Sequence, residues 1–201
     1  MMYYGILFVI AAYLLGSVPF GLIVGELFHK DIRNLGSGNI GATNTYRTLG
    51  PAAGLIVFVL DFLKGVLPVF VFTFLFKKNE IFEIFLFSVA FATLLGHTFS
   101  VFLKFKGGKG VATAAGVLIV LSWKVTLVLV FIWGFFLISW GMVSAASIFA
   151  AFSLPVMTFY FERGNAAFLI FSFLTATLII YKHRSNIKRI KEGKEPRVVR
   201  I

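Results

Sequence analysis

From Tyr3 to Tyr181 the chain alternates long apolar runs with short polar stretches. A helix that crosses a membrane needs about 20 apolar residues, because each adds ~1.5 Å towards a hydrocarbon core of ~30 Å. Runs of that kind lie at 3–27, 51–76 and 81–103. Val111 to Tyr160 is too long for one span, and a last run, Ala166 to Tyr181, ends in the basic tail KHRSNIKRIKEGKEPRVVRI. Of the 201 residues 59% are hydrophobic and 13% charged, with mean hydropathy +0.95. A soluble domain of this size has no interior large enough for that much apolar surface, so lipid must be the solvent. The N-terminal run lacks a basic leader and exceeds the length of a signal peptide, so it reads as a retained transmembrane helix.

The long region holds two weak breaks, SWK at 122–124 and SWGM at 139–142. Dividing at both gives seven helices; dividing only at the second gives six. The basic residues decide between them. With seven, one side collects Lys30, Arg33, Arg47, Lys104, Lys106, Lys109 and the tail from Lys182 to Arg200, against Lys77, Lys78, Lys124 and Arg163 on the other. With six, the tail falls opposite the other basic loops, against the positive-inside bias, and Lys124 sits in mid-bilayer at ~2.5–3.5 kcal/mol. The expected fold is therefore all-α: a polytopic helix bundle of seven transmembrane helices, N-terminus outside and C-terminus cytoplasmic. It forms a single domain over 1–201, with cytoplasmic loops at about 28–50 and 104–110 and a cytoplasmic tail at 182–201. Helices four and five come out short, about 11–15 residues by this division, which suggests recessed cytoplasmic ends and a pocket between them. The net charge of +11 would suggest nucleic acid in a soluble protein. Here it sets orientation and points to anionic lipids or substrates, with no nucleic-acid partner.

Two glycine-rich islands interrupt the apolar pattern. The first, GSGNIGATNTYRTLG, carries Gly36, Gly38 and Gly41, which let backbone N–H groups approach a ligand closely. Ser37, Asn39, Thr43 and Asn44 supply small polar groups, and Arg47 a planar cationic fork suited to phosphate oxygens. The second, LKFKGGKGVAT, sets Lys109 among Gly107, Gly108 and Gly110 beside Lys106, just before a helix whose N-terminus favours anions. It is not a Walker A loop, because glycine follows the Gly-Lys pair where Ser or Thr would be needed. Donors without carboxylates suit a phosphate and not a hard metal cation, so no metal site is expected. The absence of cysteine excludes thiolate sites and a cysteine nucleophile. No cofactor is expected.

Asp61 and Lys64 lie three apart inside the second span, and must pair or face an interior cavity. They either orient the first island or contact substrate. His183 and Asn186, also three apart, point one way just past the last span if the helix continues. His183 stays neutral beside Lys182 and Arg184. Ser144 and Ser147 offer hydroxyls to the same pocket or serve as small packing residues. His97 reads as a packing or capping residue.

GSGNIGATN, DFLKG, GH followed by FKGGKGVAT, and the H-R-x-N-I-x-R ending with Glu195 together resemble the bacterial acyl-phosphate:glycerol-3-phosphate acyltransferases. The resemblance runs from about residue 14 to residue 195, with the motifs in order. It departs at Ser100, where the family pattern leads one to expect proline. It implies a membrane enzyme of the bacterial inner membrane, its site facing the cytoplasm. The implied reaction moves a fatty acyl group from acyl phosphate to the 1-hydroxyl of glycerol 3-phosphate, giving lysophosphatidic acid and inorganic phosphate. The implied functional residues are Ser37, Arg47, Lys109, His183 and Asn186, with Glu195 in an orienting role known only from the resemblance.

Acyl phosphate is a mixed anhydride, so catalysis by positioning and charge neutralisation is expected. Neither His97 nor His183 is followed by Asp four or five residues on, which removes the pairing used by thioester-dependent glycerophosphate acyltransferases. A substrate phosphate oxygen is expected to take the proton, with His183 as the alternative base. An acyl-Ser37 intermediate is a further variant. An anion transporter and a lipid-binding scaffold are the rival classes.

Overall fold

The computed structural model describes residues 2–76 and 82–198. Lys77, Lys78, Arg200 and the expected start of the third span at Ile81 lie outside them. Among the described residues every regular element is helical. Ten α-helices run α1 Met2–Ser17, α2 Phe20–Leu27, α3 Ala42–Leu49, α4 Pro51–Leu75, α5 Phe82–Thr98, α6 Val111–Leu121, α7 Trp123–Trp140, α8 Val143–Phe161, α9 Ala166–Lys182 and α10 Arg184–Lys191. Among the described residues, five stretches are long and apolar enough to cross a membrane: Met2–Leu27, Pro51–Leu75, Phe82–Leu103, Trp123–Trp140 and Val143–Phe161. The pair α9 and α10, bent by 56°, makes a sixth if taken as one span. The chain is thus a multi-pass membrane protein.

Two features differ from the sequence reading, the continuity of the first helix and the length of the fifth; the short fourth helix agrees with it. Met2–Leu27 matches the expected span 3–27, but the helix within it is interrupted, because Pro19 has no N–H and the chain turns at Val18 before α2 resumes. The fourth apolar helix, α6, has 11 residues or ~17 Å, short of a full crossing. The fifth, α7, has 18 residues and not 11–15: Ser122 caps it by accepting the Val125 N–H, and Gly141 ends it in the left-handed region at φ 69°.

The chain divides into two compact units, Met1–Leu121 and Ser122–Ile201. In the first, small residues let helices touch backbone to backbone, the usual means of association where lipid removes the hydrophobic drive. A side chain at Gly16 would strike the Thr93 carbonyl, and one at Gly96 the Tyr13 carbonyl. Gly5 lies against the Phe85 ring, so α1 and α5 run parallel. α4 runs against both. Its Phe72 ring meets Phe8 at 5.7 Å and Phe82 at 5.5 Å, while Lys64 and Asp61, earlier in the helix, meet Val18 and His97. Val24 of α2 packs on Ala53 and Val57, near the start of α4. The loops that follow α2 and α5 therefore leave the unit at the same end.

Ser100, where proline was expected, has φ −61° and ψ 126°, values that a proline would hold. Its hydroxyl donates to the Ser17 carbonyl at 2.6 Å and ties the end of α5 to the end of α1. In the second unit α8 packs between α7 and α9. Trp133 of α7 donates to the Ser147 hydroxyl of α8 at 3.2 Å.

Candidate functional site

The first glycine island folds around one side chain. Asn44 is buried; its Oδ1 accepts the Ser37 N–H at 2.8 Å, and its Nδ2 donates to the carbonyls of Leu35 at 3.0 Å and Ile32 at 3.2 Å. Both amide hydrogens are thus used inside the loop, so Asn44 is a brace and not the ligand group expected from the sequence. Gly36 and Gly38 hold φ of 58° and 69°, and a Cβ on Gly36 would collide with Asn44 Oδ1. Gly41 caps α3 without a side chain. The brace leaves Ser37 exposed, with Asn39 and Thr43 half-buried and Arg47 exposed in the last turn of α3. Arg33 forks onto Asp31, with contacts of 2.7–3.1 Å, and these hydrogen bonds hold the Asp31 carboxyl below the usual carboxylate range. An open depression of ≈ 440 Å³, lined by Lys30, Asp31, Asn34, Leu35, Gly36 and Thr48, borders the loop.

The second island turns back onto α5. The N–H groups of Gly107 and Gly108 donate to the carbonyls of Thr98 and His97, at 3.2 and 3.0 Å. These two bonds hold the loop. Gly108 sits flat against the His97 ring, where any Cβ would meet Nε2. Gly110, at φ 82°, then launches α6, with Lys109 half-buried beside it and Lys106 exposed. The Asn44 and Thr45 N–H groups bond back to the Gly41 carbonyl and the Ala114 N–H to the Gly110 carbonyl, so the positive end of each helix dipole lies at its glycine turn and favours an anion. Both ends are preceded by a glycine turn, and both sets of loops lie at one end of the unit.

Asp61 and Lys64 pair at 2.7 Å, fully buried. Lys64 also donates to the Val18 carbonyl at 2.9 Å, beside the Pro19 break. Asp61 Oδ1 lies 3.7 Å from His97 Nδ1, which is 3.1 Å from the Thr113 hydroxyl in the first turn of α6. The sequence reading tied this pair to the first island or to substrate; its side-chain contacts run to Val18, through Lys64, and to His97, under the second island, through Asp61. His97 does pack, as expected, but its link to Asp61 was missed. No spacing rule announces it, since the loop must fold back before Thr113 reaches the ring.

In the second unit Glu195 is the hub. Oε1 accepts from Ser144 and from Asn186, each at 2.7 Å, and Oε2 from Arg189 at 2.7 Å. Burial pushes this carboxyl up, and the three hydrogen bonds outweigh that, holding it below the ordinary glutamate range. Ser147 donates to the Val143 carbonyl at 2.8 Å and receives Trp133, so both serines expected in a substrate pocket have partners within this unit. His183 is buried at the bend between α9 and α10, with Nδ1 2.8 Å from the Ile179 carbonyl. A carbonyl only accepts, so Nδ1 carries the proton of this contact. The Val198 N–H bonds to the Gly141 carbonyl at 2.7 Å, folding the end of the tail onto the α7–α8 turn.

The model of the family described as glycerol-3-phosphate acyltransferase matches residues 6–193. The chain is 45% identical over 190 residues to a glycerol-3-phosphate acyltransferase of Geotalea daltonii, covering 94% of this chain and 95% of that protein. It is 44% identical to one of Lactiplantibacillus plantarum, covering 94% and 90%. Among solved structures it is similar to PlsY (YgiH), an integral membrane glycerol 3-phosphate acyltransferase crystallised in a glycerol 3-phosphate form. The TM-score is 0.90 at 41% identity, covering 96% of this chain and 95% of that one. A lysophosphatidic acid form of PlsY matches at TM-score 0.88 and 40% identity, with the same coverage. Motif order, helical architecture and near-complete coverage all agree: the chain belongs to the glycerol-3-phosphate acyltransferase family.

Proposed function

We propose that this protein transfers a fatty acyl group from acyl phosphate to the 1-hydroxyl of sn-glycerol 3-phosphate. The products are lysophosphatidic acid and inorganic phosphate. The observation that carries this reading is the pair of glycine turns, each opening a helix N-terminus, that leave the first unit at one end with Ser37, Arg47 and Lys109. Two phosphates are the two anions this reaction needs.

In the step we infer, the acceptor hydroxyl oxygen bonds to the acyl carbon and the carbon–oxygen bond to phosphate breaks. The phosphate leaves with that electron pair. The hydroxyl proton passes to a substrate phosphate oxygen, so the step needs no base from the protein. Arg47 and Lys109 neutralise the charge that grows on the departing group. His183 is the alternative acceptor. Asn186, held by Glu195, belongs with His183 in this assignment. In the membrane we place seven helices in a bacterial inner membrane, with the N-terminus outside. The two islands and the basic tail then face the cytoplasm, against anionic lipid.

Purified protein mixed with palmitoyl phosphate and glycerol 3-phosphate tests the reading. Phosphate release that depends on the acceptor, with lysophosphatidic acid formed in equal amount, is expected. Release without acceptor, or equal activity with an acyl thioester as donor, would overturn it.

A further inference from the structure

Ionisable groups inside a membrane-spanning helix are costly and mark function unless a partner explains them. Asp61 stands ten residues beyond Pro51, about 15 Å along α4. There it meets Lys64 at 2.7 Å and faces His97 at 3.7 Å. Lys64 anchors the pair to the Val18 carbonyl at 2.9 Å. The His97 ring is held from one side by the Thr113 hydroxyl at 3.1 Å and bears on its Nε2 edge the bare backbone of Gly108. The His97 carbonyl accepts the Gly108 N–H at 3.0 Å. One residue thus fixes the glycine turn twice, through ring and backbone, immediately before Lys109. Asp61 and Thr113 both face the ring's Nδ1 edge.

We propose that Lys64, Asp61, His97 and Thr113 form a buried positioning relay. It sets the second glycine turn and the start of α6 in the geometry that grips a substrate phosphate. These are positioning residues, acting through the loop. The inference rests on the reading that this loop, with Lys109, binds phosphate. A pair that merely filled the gap left by the Pro19 break would need Lys64 and the Val18 carbonyl alone. The approach of Asp61 to the ring that backs the loop has no part in that task.

The test uses full-length protein in lipid nanodiscs, with KM for both substrates, inhibition by inorganic phosphate, and melting temperature. Thr113→Val keeps the shape and removes the hydroxyl; Thr113→Ser restores it. Thr113→Val and Asp61→Asn should each raise KM for one phosphate substrate about tenfold or more, since small misplacements of a binding group cost that much. Inhibition by inorganic phosphate should weaken in parallel. The KM of the other substrate should stay within about twofold, and Thr113→Ser should behave as wild type. The double variant should fall short of the product of the two single effects, because both act through one ring.

Unchanged KM values in folded Thr113→Val and Asp61→Asn would overturn the relay, as would Thr113→Ser matching the damage of Thr113→Val. If Asp61→Asn fails to fold, the two Thr113 variants decide by the same criteria. Lys109→Ala separates the two levels. If it keeps full activity, the phosphate role of the loop and the relay fall together. If it loses activity while the relay variants keep their KM, the relay alone falls.

Discussion

The Ser144 hydroxyl donates to Glu195 Oε1 at 2.7 Å, joining the first turn of α8 to a tail residue 51 positions later. Asn186 shares the same carboxylate oxygen, and Arg189 takes the other. The tail is therefore held through a buried acid that pairs with one of its cations, Arg189.

Glu195→Ala should lower the stability of the protein by about 1–3 kcal/mol, because Ser144 and Asn186 are left buried without their shared acceptor. Thermal melting in detergent checks the stability. If Asn186 acts in the reaction, turnover should drop further than the loss of folded protein explains.

The same carboxyl gives a pH signature. Its folded-state value is depressed by the three hydrogen bonds. The stability it contributes is full above the unfolded value of about 4.3 and is lost as pH falls through the folded value. Melting temperature of the wild type should fall with acidification below about pH 4–5. In Glu195→Gln that dependence should be weaker. Melting curves across an acid series, compared between the two proteins, measure it.

Arg47→Ala and Lys109→Ala should each reduce kcat/KM by about 10²-fold or more, the usual cost of removing a charge-stabilising donor. Arg47→Lys should recover only part, since a point charge does not reproduce the fork. Steady-state rates on purified protein suffice, with His183→Ala beside them. If the phosphate is the base, His183→Ala keeps near-normal turnover at saturating substrate.

Asn44→Ala should collapse the first island, because it removes the acceptor of the Ser37 N–H and the donors to two carbonyls. A loss of about 1–3 kcal/mol is expected from the buried groups left unpaired. Increased protease cutting within residues 32–41, together with lost activity, would report it.

Replacing Asn165 by Ala tests a purely structural cap. Its Oδ1 accepts the Phe168 N–H at 2.8 Å at the start of α9. The expected cost is about 1 kcal/mol with kinetics unchanged.

The helices were legible in the sequence because lipid demands a long apolar run, and that demand is local. The breaks at Ser122 and Gly141 showed for the same reason. Pro19 was visible too, yet the run around it is apolar enough to read as one span. The inner wiring was not legible. Asp61 and His97 are 36 residues apart, and Glu195 and Ser144 are 51, so only the folded chain brings them together. Asn44 shows the other limit. Polar side chains in a glycine loop look alike in sequence, whether they face a ligand or hold the loop from within.

The close approach of α1 and α5 has a mechanical result. With Gly16 on the Thr93 carbonyl and Gly96 on the Tyr13 carbonyl, main chain bears on main chain, and no rotatable side chain lies between to yield. The two helices act as a rigid jig, so the gap between the loops they carry is gauged by peptide thickness. Any hinge that lets reactants in or products out must be cut elsewhere.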